Sequence, residues 1–299
     1  MKYTILILMP LGVLALLLVG CADELEVGGG AVLRPEVTTL PADMSAEADT
    51  TGSSGSSTAG ASSAETSAAD AGGVGSFKGK VVLTGSAPSL PLPLLHSKGA
   101  AVKDAAACSA EDVPDEKLVV GAENGVANVF VYLARAPKGV DIPDAPSEPI
   151  LFDQKSCRFI PHCLVVPTGQ PVAILNADSV PHNAHTYPTK NSSINQVVSA
   201  NEREGKLQVV YKRAESLPLA VKCDYHTWMV AYHLPLDHPF AAVTDENGEF
   251  EIPNLPAGDY EFVVWHEAAG YVHRKFKAKV TGGEPQAQVV DFDAGKLSL

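Results

Sequence analysis

Short apolar or alternating runs follow one another along residues 76–299, separated by Gly, Pro, Asn and Asp. Runs of this length are typical of β-strands, and no long segment keeps the roughly 3.6-residue period of an amphipathic helix. The pattern therefore predicts an all-β fold of β-sandwiches, with one short helix near residues 100–110, where Ala and Lys cluster. The predicted strands are 80–84, 127–133, 164–166, 171–176, 207–211, 219–222, 230–234, 240–244, 249–252, 260–266, 274–280 and 288–292.

Residues 1–20 have the layout of an export signal, in which Lys2 precedes an apolar run. The run ends in Leu18-Val19-Gly20-Cys21, which resembles the lipobox of bacterial lipoproteins. The resemblance implies cleavage before Cys21, acylation of that residue and an extracytoplasmic protein anchored to a bacterial membrane. Ala22 in place of Asp implies the periplasmic face of the outer membrane in a Gram-negative source. The alternative is an ordinary signal peptide with an incidental Cys21.

Residues 21–75 are rich in Ser, Thr, Ala and Gly. A segment of this composition cannot bury a core, so we predict a disordered tether. A flexible chain of this length spans about 40 Å, enough to hold a folded part away from a membrane. The whole sequence has 22 Lys and Arg against 35 Asp and Glu, a formal net charge of −13. This charge disfavours a nucleic-acid-binding protein.

Two turns that lead into strands are found late in the sequence, at Thr244-Asp245-Glu246-Asn247-Gly248-Glu249-Phe250 and at Leu255-Pro256-Ala257-Gly258-Asp259-Tyr260. They resemble the carboxypeptidase regulatory-like, or transthyretin-like, β-sandwich. Domains of that family open with a G-x-V strand and a V-x-V strand. Both occur far upstream here, as Gly79-Lys80-Val81 and Val129-Phe130-Val131.

The separation of these segments implies a discontinuous domain. We predict a carboxypeptidase regulatory-like sandwich formed by residues 76–149 with 236–299. Residues 150–235 would then be an inserted domain of its own. In the alternative arrangement, residues 76–135 complete the inserted domain instead.

The inserted segment contains residues suited to binding copper. A strand-like run from Gly169 ends in Pro181-His182-Asn183, and Cys223 follows 41 residues after His182, with His226 and Met229 close behind it. A thiolate, two imidazoles and a thioether form a mixed soft and borderline ligand set. Such a set suits an ion that cycles between Cu(I) and Cu(II).

These two segments closely resemble the ligand segments of the cupredoxins, the plastocyanin- and amicyanin-like blue copper proteins. The resemblance implies a cupredoxin-like Greek-key sandwich with a mononuclear copper centre. In it Cys223 supplies the thiolate, His182 and His226 the imidazoles, and Met229 the axial thioether. The backbone N–H of Asn183 would hydrogen-bond the Cys223 sulfur. The alternative is structural, with a buried thiol at Cys223 and a core side chain at Met229.

The remaining cysteines and histidines have no place in this ligand set. An oxidising compartment permits a disulfide, either Cys108 with Cys157 or Cys157 with Cys163, and spacing does not decide between them. Cys163, beside apolar neighbours, is the predicted buried free thiol. The other five histidines between positions 162 and 266 are predicted to lie at the surface or hydrogen-bonded in the core, rather than to bind a second metal. They are His162, His185, His233, His238 and His266.

These features together predict an electron carrier and not an enzyme, because four protein ligands leave no coordination position for a substrate. The chain would be a lipid-anchored type 1 copper protein that carries single electrons between extracytoplasmic redox partners. A c-type cytochrome or a dehydrogenase is the natural class of partner. The alternatives are a copper storage or delivery protein and a structural or carbohydrate-binding lipoprotein of the cell envelope.

Overall fold

The computed structural model describes residues 73–283 and 287–299. These residues form β-strands joined by loops, one short α-helix, α1 (Ala105–Cys108), and two 3₁₀ turns, so the predicted all-β fold is confirmed. No helix within the described ranges is long and apolar enough to cross a membrane. The strands are β1 (Val74–Thr84), β2 (Phe130–Leu133), β3 (Ile150–Lys155), β4 (Arg158–Ile160), β5 (Cys163–Pro167), β6 (Pro171–Ile174), β7 (His182–Thr186), β8 (Asn195–Val198), β9 (Leu207–Val210), β10 (Leu219–Lys222), β11 (Val230–Leu236), β12 (Ala241–Val243), β13 (Glu249–Pro256), β14 (Gly258–His266), β15 (Gly270–Val280) and β16 (Gln288–Asp293).

The observed strands differ from the predicted ones in two ways. Strand β1 begins at Val74, inside the segment predicted as tether, while the predicted signal peptide and Cys21 lie outside the described residues. Four strands were not predicted: β3, β4, β7 and β8. β7 carries two histidines and an asparagine, and β4 has only three residues, so neither shows an apolar alternation that a sequence pattern can reveal.

Strands from the two ends of the described sequence form a first sandwich, with sheet orders β13-β1-β16 and β12-β2-β14-β15. Alternate residues of β1 are buried, as expected for a strand with one face on a core. Phe77 and Val81 of that strand pack into one cluster with Phe262 and Val264 of the opposite sheet. The rings of Phe77 and Phe262 are stacked, with centroids 4.3 Å apart.

The strands between Ile150 and Leu236 form a second sandwich, with sheet orders β5-β11-β10-β7-β8 and β4-β3-β6-β9. Its core joins Phe152 and Ile174 of one sheet to Val166 and Val221 of the other. The sequence of this sandwich lies between strands β2 and β12 of the first one. The core reaches the loop after β10, where Cys223 belongs to the same buried cluster.

A third apolar cluster joins the two sandwiches. Phe130 and Trp265, on the outer face of the first sandwich, pack with Cys163 and Leu234 of the second. The ring of Tyr232 lies 5.2 Å from that of Trp265, also across this contact. Aromatic and aliphatic side chains buried on both sides stabilise the contact between the sandwiches.

The connection between β1 and β2 contains a segment that covers one end of the second sandwich. We call residues 95–113 the cap. Backbone hydrogen bonds between Leu95 and Val113 and between Val113 and His96, each 2.9 Å, close it into a loop. A disulfide from Cys108 in α1 to Cys157 fastens the cap to the second sandwich.

Candidate metal centre

Three donor atoms converge at one end of the second sandwich. Sγ of Cys223 lies 4.0 Å from Nδ1 of His182 and 3.8 Å from Nδ1 of His226, and the two nitrogens lie 2.9 Å apart. All three residues are buried, with exposed fractions of 2%, 0% and 0%. A first-row metal ion about 2.0–2.1 Å from an imidazole nitrogen and about 2.3 Å from a thiolate sulfur can bridge atoms at these separations. The structure thus brings together three of the four predicted ligands.

Two elements carry these donors. His182 is the first residue of β7, whereas Cys223 and His226 lie on the loop that follows β10. In that loop the amide of Met229 donates to the carbonyl of His226 at 2.9 Å, and the amide of Cys223 donates to the carbonyl of Met229 at 3.2 Å. The loop is therefore closed by its own backbone, which holds Cys223 and His226 near each other.

Met229, the predicted axial ligand, is 1% exposed and belongs to the same core cluster as Cys223. Its backbone closes the loop that carries Cys223 and His226. The structure therefore places Met229 in the core at the end of this loop, and its role as the fourth ligand stays a prediction.

The surroundings of Cys223 favour a thiolate. Burial alone would raise the pKa of this thiol, but its contacts with the rings of His182 and His226 and the hydrogen bonds from the backbone amides of Asn183 and His226 outweigh burial and lower the pKa to about 6. The deprotonated sulfur is the form that binds metal ions. The amide contact from Asn183 is the one that the cupredoxin resemblance implied.

A carboxylate faces the outer nitrogen of each histidine. Nε2 of His182 donates to Asp178 at 2.8 Å, and Nε2 of His226 donates to Asp104 at 3.0 Å. With both protons on Nε2, both Nδ1 atoms present lone pairs to each other and to the sulfur of Cys223. Lone pairs 2.9 Å apart repel unless a cation lies among them. The donor set therefore fits a bound metal ion.

A proton would compete with a metal ion for this site. Burial alone would lower the pKa of His182, but its hydrogen bonds with Asp178 and Cys223 outweigh that effect and raise the pKa. Ligand nitrogens must be unprotonated to bind a metal, so binding releases protons and weakens as the pH falls.

Asn183 ties the two ligand-bearing elements together through its side chain. Its Oδ1 accepts from the amide of Asp224 at 2.6 Å, and its Nδ2 donates to the carboxylate of Asp224 at 3.1 Å. Asn183 is 2% exposed. These contacts hold the start of β7 against the loop that follows β10.

The cysteines outside the ligand set have separate roles. The structure contains the disulfide Cys108–Cys157, the first of the two pairings left open by the sequence. Cys163 is buried and free, and its thiol donates to the carbonyl of Asn128 at 3.5 Å. Burial raises the pKa of Cys163 well above its ordinary value, so this thiol stays protonated.

The other five histidines between positions 162 and 266 lie outside the converging donors. Among the described residues, every group of His, Cys, Asp and Glu close enough to share an ion contains His182 or His226. Burial lowers the pKa of His233 and of His266 to about 3, so both are neutral core residues. The remaining three contact a carboxylate or a backbone amide: His162 with Glu267, His185 with Asp224, and His238 with the amide of Phe240.

The sequence argument gave no role to Asp104 or Asp178. Asp178 had a local signal, because it ends the turn Asn176-Ala177-Asp178, four residues before His182. Asp104 had none, since it is 122 positions from His226 and lies in a different part of the sequence. Only the folded cap brings it to His226 and the converging donors.

No family model matches this chain, and no curated protein matches it. The chain is similar to solved structures over about a third of its length. One is the Cu-containing nitrite reductase of Thermus scotoductus SA-01, with 16% identity, a TM-score of 0.27, and 34% of this chain and 25% of that chain covered. The chain thus spans a quarter of the length of that reductase.

Two smaller proteins are matched over nearly their whole length. A purple cupredoxin from Nitrosopumilus maritimus has 20% identity and a TM-score of 0.24, with 29% of this chain and 99% of that chain covered. The reduced Cu(I) form of an amicyanin variant has 14% identity and a TM-score of 0.26, with 36% and 91% covered. Likenesses of this size do not by themselves assign a function to the chain.

Proposed function

We propose that this chain binds one copper ion and carries single electrons between extracytoplasmic redox partners. The observation that carries the proposal is the convergence of one sulfur and two imidazole nitrogens in a buried site. Cys223, His182 and His226 would hold the ion, with Met229 as the fourth ligand. Copper held by such donors supplies one-electron chemistry through its Cu(I) and Cu(II) states.

The contribution of the protein is to exclude water and to keep the ligands in place. His182 is fixed by the sheet and by Asp178, while Cys223 and His226 share one closed loop. A site held on two rigid elements changes little when the charge of the ion changes. A small structural change on oxidation or reduction is what rapid electron transfer requires.

Burial favours electron transfer over the delivery of copper. All three donors are covered, and His226 has no exposed surface. An electron can pass through the residues that cover the site, whereas an ion can leave only if those residues move apart. A storage or delivery role would be better served by ligands that a partner protein can reach.

The remaining parts of the proposal concern the cellular setting. With Met229 as fourth ligand no position is left for a substrate, so the chain would be a carrier and not an enzyme. A lipid on Cys21, joined to β1 by the predicted tether, would hold the carrier near a membrane on its extracytoplasmic side. Its partner there would be a protein such as a c-type cytochrome or a dehydrogenase.

Voltammetry of the copper-loaded chain in the presence of a copper chelator tests this proposal. The expected result is a reversible one-electron wave that persists through repeated cycles, because the same ion stays bound in both states. Loss of copper to the chelator after each reduction would contradict electron transfer and support delivery. The Cys163→Ala variant, which changes a cysteine outside the site, serves as the control. It should give the same reversible wave and retain its copper as the parent does.

A further inference from the structure

We propose that Asp104 is a positioning residue of the metal centre, held by the cap against the outer nitrogen of His226. The inference rests on the proposed function, because it gives Asp104 a role toward the same copper ion. Asp104 accepts a hydrogen bond from Nε2 of His226 at 3.0 Å. This contact places the proton on Nε2 and leaves Nδ1 free to face the metal.

The backbone at Asp104 supports a specific placement of this side chain. Asp104 precedes α1 with φ 54° and ψ 39°, in the left-handed region that side-chain-bearing residues seldom adopt. Asp and Asn tolerate this region better than most residues. The side chain of Asp104 is 38% exposed, while that of His226 is fully buried, so the carboxylate joins a buried ligand to the protein surface.

The cap is held in place on both sides of Asp104. On one side, Nε2 of His96 donates to the carbonyl of Cys108 at 2.7 Å, and the ring of His96 packs edge-on against Trp228 at 4.9 Å. On the other side, Cys108 is joined to Cys157. Nε1 of Trp228 donates to the carbonyl of Cys157 at 3.1 Å. The cap is thus fastened to the loop that carries His226 as well as to the sandwich.

The two carboxylates behind the histidines are parts of one connected arrangement. Asp178, behind His182, accepts from the amide of Cys157 at 2.8 Å. Cys157 is the disulfide partner of Cys108, which lies four residues after Asp104. The disulfide therefore links the supports of both outer hydrogen bonds. Its sulfurs lie within 4.8 Å of a ring nitrogen of His226.

A carboxylate on the outer nitrogen of a ligating histidine orients the ring and raises its basicity, and loss of such a partner typically costs about 10–100-fold in metal affinity. Three substitutions separate this role from a general role in folding. Asp104→Gly removes the carboxylate and keeps a residue suited to positive φ. Asp104→Asn keeps an acceptor oxygen and the same backbone tolerance. Asp112→Ala is the matched control. The carboxylate of Asp112 accepts a hydrogen bond from the amide of Lys98, also in the cap, and is not hydrogen-bonded to His182, Cys223 or His226.

The experiment measures the copper affinity of the whole chain by competition with a chelator, together with its reduction potential and the EPR spectrum of the Cu(II) form. Asp104→Gly should lower the affinity by about 10–100-fold and alter the potential and the spectrum. Asp104→Asn should recover most of the affinity, and Asp112→Ala should match the parent.

Three results would overturn the inference. Parent-like affinity, potential and spectrum in Asp104→Gly would show that the contact does not position His226. An equal loss of affinity in Asp112→Ala would assign the effect to the cap as a whole. Failure of the parent chain to bind copper through Cys223 would refute the proposed function and this inference together. If the parent binds copper and Asp104→Gly binds it equally well, only this inference fails.

Discussion

Asn183 and Asp224 exchange two hydrogen bonds, and each directly follows a predicted copper ligand in the sequence. Asn183 follows His182 on β7, and Asp224 follows Cys223 on the loop after β10. The pair therefore fixes the separation of the two elements on which the donors lie. The arrangement of the three donors therefore depends on this contact as well as on the residues that carry them.

Removing the Asn183 side chain should damage both stability and metal binding. Asn183→Ala leaves the amide of Asp224 without its acceptor, so we expect a loss of about 1–3 kcal/mol in the free energy of unfolding. Copper affinity should fall as well, because the start of β7 and the loop after β10, which carry the donors, are no longer held together by this contact. Urea denaturation and chelator competition measure the two effects.

Asn195→Ala is the matched control for that variant. Asn195 is exposed, donates to the same carboxylate of Asp224 at 2.7 Å and accepts from Nδ2 of Asn183 at 2.6 Å, but it does not contact the Asp224 amide. Its loss should cost less stability than Asn183→Ala, because Nδ2 of Asn183 keeps the Asp224 carboxylate as an acceptor and the Asp224 amide keeps Oδ1 of Asn183. Equal losses of stability and of copper affinity in the two variants would show that the hydrogen bond from the Asp224 amide to Asn183 does not fix the positions of the donors.

Copper should stabilise the folded chain. A ligand that binds only the folded state adds RT ln(1 + [L]/Kd), which is about 4 kcal/mol when the free ligand exceeds Kd a thousandfold. Differential scanning calorimetry should therefore show a higher Tm with copper than after its removal by a chelator. The increase should be lost in Cys223→Ser and kept in Cys163→Ala. An unchanged Tm in the parent chain would favour a structural role for the three donors.

The disulfide should support both the fold and the metal centre. Cys108 and Cys157 are 49 residues apart, and removal of a cross-link of this kind typically costs about 2–4 kcal/mol. The double variant Cys108→Ser/Cys157→Ser should lose about that much stability in urea. It should also bind copper more weakly, because the cap that carries Asp104 is no longer fastened to the sandwich. Parent-like copper affinity in the double variant would contradict this role of the cap.

Glu215 should make the stability of the second sandwich depend on pH. Burial alone would raise the pKa of this carboxyl, but hydrogen bonds from Thr189, Lys190 and Asn191 outweigh burial and lower the pKa. A carboxyl whose folded pKa is lowered stabilises the fold above its unfolded pKa of about 4.3, and this contribution disappears as the pH falls through the folded pKa.

Glu215→Gln tests that dependence. The variant should be less stable than the parent at pH 7 by about 1–3 kcal/mol, and the difference should shrink below about pH 4. Urea denaturation between pH 3 and pH 7 measures it. Glu204→Gln, at an exposed position, serves as the control and should show little change. A constant difference between parent and Glu215→Gln across the pH range would refute the assignment.

The sequence predicted the parts of this protein that are encoded locally. Alternating apolar residues, as in β1, revealed strands with one buried face. Three donors were recognised because Cys223 and His226 are three residues apart and His182 stands in a Pro-His-Asn corner. Strand β7 was missed because three of its five residues, His182, Asn183 and His185, contact the candidate site or Asp224, so the strand lacks the apolar pattern of a core strand.

The parts that depend on distant contacts could not be predicted. Asp104 reaches His226 only because the cap folds over the end of the second sandwich, and no local pattern encodes that contact. The pairing of Cys108 with Cys157 was likewise open, since spacing alone does not determine which cysteines meet. Both features depend on the path of the connection between β1 and β2, which contains the cap.

The most direct test of copper binding by Cys223, His182 and His226 is the visible absorption and EPR spectrum of the whole chain loaded with Cu(II). Cys223→Ser and Cys163→Ala variants would be measured in parallel. We predict an intense thiolate-to-copper band and a type 1 EPR signal, both lost in Cys223→Ser and kept in Cys163→Ala. Weak Cu(II) binding that is the same in the parent and in Cys223→Ser would contradict the proposed copper centre.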